Sequence, residues 1–290
     1  MVPAVSTFHA DGSIDRASFT ANLDAHLAHG IDGVLVAGSS GESALLDDDD
    51  RRALLEAARE RVPSEKWLIA GVGSESTRQT ISRAHDAKAI GADAVLVVSP
   101  HYFLKRMTEA ALLAHFRAVA DASPLPVMLY NIPVYAHVVL SGALVREMAQ
   151  HPNVIGMKDS AGNLPMLHEY LTAKSDKFRV LTGSGATVVP ALDAGVAGAL
   201  LAIALYAGPT VRLMIDTYLS GGRDEAAKIQ VRIAPIATDI GGALGPAGIK
   251  AAMDMVGLHG GPTRSPLLPV TPEESATIRA RLESAGVIPT

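Results

Sequence analysis

Short runs of apolar, β-branched residues recur along this chain, separated by longer stretches whose apolar positions follow helical spacing. GIDGVLVAG (30–38), GADAVLVVS (91–99) and GVAGALLAI (195–203) echo one another. In each, a glycine closes a helical stretch and an apolar strand follows almost at once. KWLIAGVG (66–73), PVMLYNIP (126–133), NVIGMKDS (153–160) and FRVLTGSG (178–185) are comparable units. With an opening strand near residues 2–6, the pattern predicts eight strands. Amphipathic stretches such as TRQTISRAHDAKAIG (77–91) and TEAALLAHFRAVADA (108–122) lie between them.

Strands alternating with helices imply a parallel sheet. Eight such units predict a closed (β/α)8 TIM barrel. An open, doubly wound sheet is the competing arrangement, but no G-x-G-x-x-G follows the first strand. From about Glu225 the pattern is helical only: DEAAKIQVRIAPIATDI, PAGIKAAMDMVG and PEESATIRARLESAG, the last two separated by the proline-rich GGPTRSPLLPVTP. A short helical segment makes a marginal core alone. The expected organisation is therefore a barrel over residues 1–224 carrying the active site, with residues 225–290 as a helical extension packed on it.

Composition narrows the chemistry. The 290 residues are 48% hydrophobic and 19% charged, with a net charge of −5 and no cysteine. Disulfides, thiolate nucleophiles and cysteine-based metal sites are excluded. Lysines and arginines are scattered, so a nucleic-acid partner is not expected. No run is long and apolar enough for a membrane span. The opening MVPAVSTFHADG lacks the basic-then-apolar pattern of a signal peptide, which predicts a cytoplasmic protein. Histidines are dispersed, His26 and His29 being read as surface positions on an early helix, and no metal site is expected. The acids Asp47–Asp50, just ahead of RRALLEAARERV, read as a helix N-terminus favoured by the macrodipole.

Chemistry in a barrel sits at the C-terminal strand ends. The strand NVIGMKDS ends in Lys158, a charge rarely buried without cause. Alternation puts Gly156 and Lys158 on one face, so Gly156 is expected to leave room for the lysine side chain. A dry setting disfavours an ammonium ion, and the neutral amine is the form that attacks a carbonyl to make a Schiff base. The plainer alternative is a lysine that snorkels to solvent. The other lysines lie mostly in polar helical or loop contexts. Tyr130 closes its strand as a proton shuttle or as packing. Ser39, Ser40 and Gly41 form a loop able to offer N–H groups and hydroxyls to a carboxylate, or an ordinary turn. Tyr102, in SPHYF, lies in a loop.

Taken together, GSSGES (38–43), SPHYF (99–103), YNIP (130–133), GMKDS (156–160) and GIKAAMDMVGLHGGPTRSPL (248–267) resemble the dihydrodipicolinate synthase/N-acetylneuraminate lyase family of pyruvate-handling barrels. The resemblance implies that Lys158 forms an imine with a 2-oxo acid, without a separate cofactor or metal. It implies that Tyr130 moves protons, and that Ser39 and Ser40 hold the substrate carboxylate while Ser39 links Tyr130 to Tyr102. It further implies that Tyr102 is shared across a dimer interface within a homotetramer. Gly41, Ser160, Tyr135 and Gly183 are expected to line the substrate, Ser160 at its far carboxylate, while Asp159 holds the loop. Synthases of this family usually carry an arginine where Tyr135 stands. The similarity is nearest to 4-hydroxy-2-oxoglutarate aldolases, which implies cleavage to pyruvate and glyoxylate. Condensation of pyruvate with aspartate semialdehyde, turnover of 2-keto-3-deoxy sugar acids, and a non-enzymatic 2-oxo-acid-binding barrel are the alternatives.

Overall fold

Apolar runs bounded by glycine become strands, and the amphipathic stretches between them become helices. The computed structural model describes residues 1–290. Its strands are β1 (Val2–Pro3), β2 (Gly33–Val36), β3 (Trp67–Gly71), β4 (Ala94–Val98), β5 (Val127–Asn131), β6 (Val154–Asp159), β7 (Arg179–Thr182) and β8 (Gly198–Ala199). They form one eight-stranded sheet in chain order. The pairing is parallel for β1 with β2 and for β3 through β8 in succession. A doubly wound sheet would reverse its order at a switch point. The order here is sequential, as a (β/α)8 barrel requires. The first and last strands are shorter than their apolar runs, two residues each.

The helices are α1 (Arg16–Ala28), α2 (Asp48–Arg59), α3 (Thr77–Ile90), α4 (Glu109–Ala122), α5 (Pro133–Ala136), α6 (Gly142–Met148), α7 (Leu164–Leu171) and α8 (Val188–Ala194). After β8 the chain is helical: α9 (Ala204–Leu219), α10 (Arg223–Ile236), α11 (Gly245–Met255) and α12 (Pro272–Ser284). A π-helical turn, Ala237–Gly242, follows α10 where the sequence predicts an uninterrupted helix. No helix is long and apolar enough to cross a membrane.

The chain forms two compact units. The first comprises residues 1–66, 185–189 and 201–290; the second comprises residues 67–184 and 190–200. In the first, Asp47 caps α2, and Asp48, Asp49 and Asp50 occupy its first turn. Asp47 and Asp50 form a reciprocal capping box, so these acids serve the helix start. The segment after α11 is held to α1: Asn22 donates to the His259 carbonyl at 2.7 Å and accepts the His259 N–H at 3.0 Å.

His26 departs from its expected surface position. It lies on the buried stripe of α1 with Phe19, Asn22 and Leu23, at helical spacing, and is 2% exposed. In the second unit, His115 of α4 is also buried, its Nδ1 2.8 Å from the Thr77 hydroxyl. Burial lowers both imidazoles from 6.5 to about 4, with His29 adding to the effect at His26 and Glu75 opposing it at His115. Both rings therefore fold neutral. Their contribution is full above pH 6.5 and is lost as pH falls toward about 4, because the unfolded chain binds those protons first. Denaturation midpoints across that window should fall with pH. Replacing both rings with leucine should flatten the slope.

Candidate active site

The register of β5 against β6 decides which side chains meet. Tyr130 pairs with Lys158, and Asn131 with Asp159, at the C-terminal ends of both strands. Alternation then puts Tyr130 and Lys158 on one face of the sheet and Asn131 and Asp159 on the other. Lys158 and Tyr130 are both buried, the lysine 4% exposed. The Lys158 Nζ donates to the Tyr130 hydroxyl at 3.2 Å and lies 4.5 Å from that ring's centroid. Buried and facing a phenol, the lysine does not snorkel.

The room for this lysine comes from an unexpected glycine. A Cβ on Gly156 would collide with the Arg179 backbone of β7, so Gly156 permits close approach of the neighbouring strand. The residue beneath the lysine is Gly183, just past β7. A Cβ there would stand 2.7 Å from Lys158 Cε and closer still to Ser160 Oγ. Gly183, Ser160 and Lys158 thus converge, and Gly183 N–H donates to the Asp159 carbonyl at 2.7 Å. Gly183→Ala should slow carbonyl trapping by Lys158 by about 10- to 100-fold, since a displacement near 1 Å costs that much. Borohydride trapping rates would measure it. An unchanged rate would remove Gly183 from the account.

On the opposite face, Asn131 Nδ2 donates to Asp159 Oδ1 at 2.7 Å, and the Ala161 N–H reaches the same oxygen at 3.2 Å. Asp159 therefore holds the loop after β6. Burial raises its carboxyl above the ordinary range, against the lowering effect of those two hydrogen bonds. Tyr135, on the short helix α5, is 41% exposed along its length. Its phenol is pushed up by burial first and by Tyr130 second. Tyr102 is 77% exposed, packs edge-on against Phe103, and is held through its N–H by Glu75 at 2.8 Å.

Ser39, Ser40 and Gly41 belong to the first unit, in a 3-10 turn directly after β2. Gly41 is fixed from below: Ser6 Oγ donates to its carbonyl at 2.6 Å, and a Cβ there would meet the Ala4 carbonyl at 2.8 Å. Glu42, which ends this turn, has φ +56, unusual for a residue with a side chain. Its carboxylate is buried and pairs with Lys250 of α11 at 2.6 Å. It also accepts the Arg264 N–H at 2.8 Å. Lys250 donates to the Pro262 carbonyl at 2.7 Å, and Arg264 engages Asp50. The Lys250 Nζ and Arg264 Cζ each lie 4.4 Å from the Phe8 ring centroid. Burial lowers the Lys250 ammonium, and Glu42 opposes that shift. Lys250, 1% exposed, corrects the reading of the other lysines as polar-context residues. Within the motifs GSSGES and GIKAAMDMVGLHGGPTRSPL, Glu42, Lys250 and Arg264 hold the turn that carries the two serines.

No group of three or more histidine, aspartate or glutamate side chains is placed to hold a metal ion. The available chemistry of the second unit is an amine beside a phenol, with the Ser160 hydroxyl converging on the same lysine.

A sequence profile described as the dihydrodipicolinate synthetase family matches residues 1–285. A 4-hydroxy-tetrahydrodipicolinate synthase from Exiguobacterium sp. is 32% identical over 279 residues, covering 96% of this chain and 93% of the relative. A dihydrodipicolinate synthase from Bacillus anthracis superposes with a TM-score of 0.93 at 30% identity, covering 100% of this chain and 97% of that one. A dihydrodipicolinate synthase from Acinetobacter baumannii, solved with pyruvate, gives 0.92 at 28% identity, covering 99% and 98%. These relatives carry the synthase name and not that of the 4-hydroxy-2-oxoglutarate aldolases.

Proposed function

The chain belongs to the dihydrodipicolinate synthetase family, and so to the pyruvate-handling enzymes of the class I aldolase type; from that premise we propose that Lys158 is the amine that binds pyruvate as an imine. The observation that carries this reading is the buried Lys158 amine 3.2 Å from the Tyr130 phenol. The Lys158 amine attacks C2 of the 2-oxo acid, and the carbinolamine loses water, Tyr130 giving a proton to the departing oxygen. The cationic imine accepts the electron pair of a C3–H bond as that proton leaves. The resulting enamine carbon attacks an aldehyde, whose oxygen takes up a proton.

Ser39 and Ser40, with the N–H of Gly41, are the candidate holders of the 2-oxo acid's carboxylate, and Ser160 is the candidate for a distal polar group. Tyr102 is assigned to a proton path shared with a partner subunit in a homotetramer. The setting is cytoplasmic, with residues 225–290 supporting the barrel.

The relatives' name favours aspartate semialdehyde as the aldehyde. The semialdehyde's own amine then displaces Lys158 from C2 and closes the ring. Tyr135 favours a second reading: a neutral phenol stands where synthases of this family place a cation for the semialdehyde's carboxylate. In that reading 4-hydroxy-2-oxoglutarate binds as the imine, and its C4 hydroxyl gives up a proton as the C3–C4 electron pair moves into the imine and glyoxylate leaves. The enamine takes a proton at C3 before water releases pyruvate.

Two assays on the purified chain separate them: consumption of pyruvate with aspartate semialdehyde, and release of pyruvate from 4-hydroxy-2-oxoglutarate. Turnover in the first assigns the synthase reading. Turnover in the second alone assigns the aldolase reading. Neither, with pyruvate still trapped on Lys158, moves the assignment to 2-keto-3-deoxy sugar acids.

A further inference from the structure

Asn131 and Asp159 lie outside the reaction just described, yet a buried 2.7 Å hydrogen bond joins their side chains next to it. Both are buried, at 1% and 2% exposure, and both immediately follow a residue of the proposed chemistry. The Asn131 amide is used at both ends. Its Nδ2 donates to Asp159 Oδ1 at 2.7 Å, and its Oδ1 accepts the Leu140 N–H at 3.1 Å. The Leu140 carbonyl in turn accepts the buried Tyr170 hydroxyl at 2.6 Å.

Leu140 is thus gripped on both sides of its peptide, at the far end of the loop that begins after Asn131. That loop contains α5 and Tyr135, and it includes His137 at φ +51. Between its ends, the only regular element is one short helix. A loop of this kind holds a single geometry only if its closure is fixed. Asp159 fixes the amide: a buried carboxylate accepting from Nδ2 sets which way Asn131 faces, and so presents Oδ1 to Leu140.

We propose that Asn131 and Asp159 are positioning residues that set the 132–140 loop, and with it recognition of the aldehyde partner, while leaving imine formation on Lys158 intact. This rests on the reading of Lys158 as the pyruvate-binding amine. The side-chain faces support the division. Tyr130 and Lys158 share one face, and the Asn131–Asp159 pair works on the other, so the pair controls the loop without touching the reacting amine.

Asn131→Asp is the direct test. The new carboxylate still accepts from Leu140, but it faces Asp159 across a buried contact with no donor between them. The KM for the aldehyde-side substrate (aspartate semialdehyde, or 4-hydroxy-2-oxoglutarate if only that is turned over) should rise at least about tenfold. Pyruvate–borohydride adduct formation on Lys158 should stay within about threefold. Asp159→Asn, whose Oδ1 still accepts from both Asn131 and Ala161, should stay near wild type. The double variant Asn131→Asp/Asp159→Asn restores a donor between the pair and should recover most of the lost affinity. Hydrogen exchange of residues 132–140 should quicken in Asn131→Asp and slow again in the double variant, with or without substrate.

An unchanged aldehyde KM and exchange rate in Asn131→Asp would overturn the proposal. So would an equal loss in adduct formation, or a folded double variant that recovers neither. If Asn131→Asp fails to fold, the double variant's exchange and KM decide alone. Absence of an adduct in the wild type would instead sink the Lys158 reading, leaving the exchange data to judge the loop.

Discussion

Lys158→Met should abolish borohydride-trappable pyruvate and cut turnover by at least about 10⁴-fold, the scale seen when a covalent nucleophile is removed. Methionine is the informative replacement because it matches the lysine in length and suits a buried site. Lys158 is 4% exposed with Tyr130 as its hydrogen-bond partner, so the variant should fold with stability equal to or above the wild type. The combination of lost chemistry and retained folding separates a nucleophile from a structural lysine. Residual activity above about 1% of wild type would contradict the role. A matching collapse in melting temperature would mean that the lysine supports the fold.

The second large effect concerns stability. Glu42→Gln leaves Lys250 buried without its counter-charge and should destabilise the chain by about 3–5 kcal/mol, as breaking a buried pair from one side does. The glutamine can still accept the Arg264 N–H, so the loss isolates the ion pair. Glu42→Gln/Lys250→Met, which removes both charges, should recover much of it. Denaturant midpoints would measure both variants. A Glu42→Gln cost below about 1 kcal/mol would show that solvent or another group compensates Lys250.

What the sequence made legible was local. Glycine followed by a β-branched run marks each strand, because both signals lie within a few residues of each other. β1 and β8 came out shorter than their apolar runs, since hydrophobicity marks burial and pairing marks the strand. Lys158 was legible for a similar reason: a charge closing an apolar strand is an anomaly visible in place. The errors were non-local. Gly156 lies on the same strand as Lys158 and invites the inference that it makes room, but that space belongs to Gly183, just past the next strand. The polarity of His26 suggests a surface residue, while its spacing from Phe19, Asn22 and Leu23 is the signal that places it in the core. Glu42 and Lys250 stand far apart in the chain, and nothing near either predicts a buried ion pair. Asn131 and Asp159 gave half a signal, Asp159 as a loop holder, while the reach from Asn131 to Leu140 depended on the course of the loop.

The central claim is covalent and can be weighed directly. Incubation of the wild-type chain with pyruvate and borohydride, followed by peptide mass analysis, should find one reduced pyruvyl group, on the peptide containing Lys158. No adduct, or an adduct on another lysine such as the buried Lys250, would contradict the account.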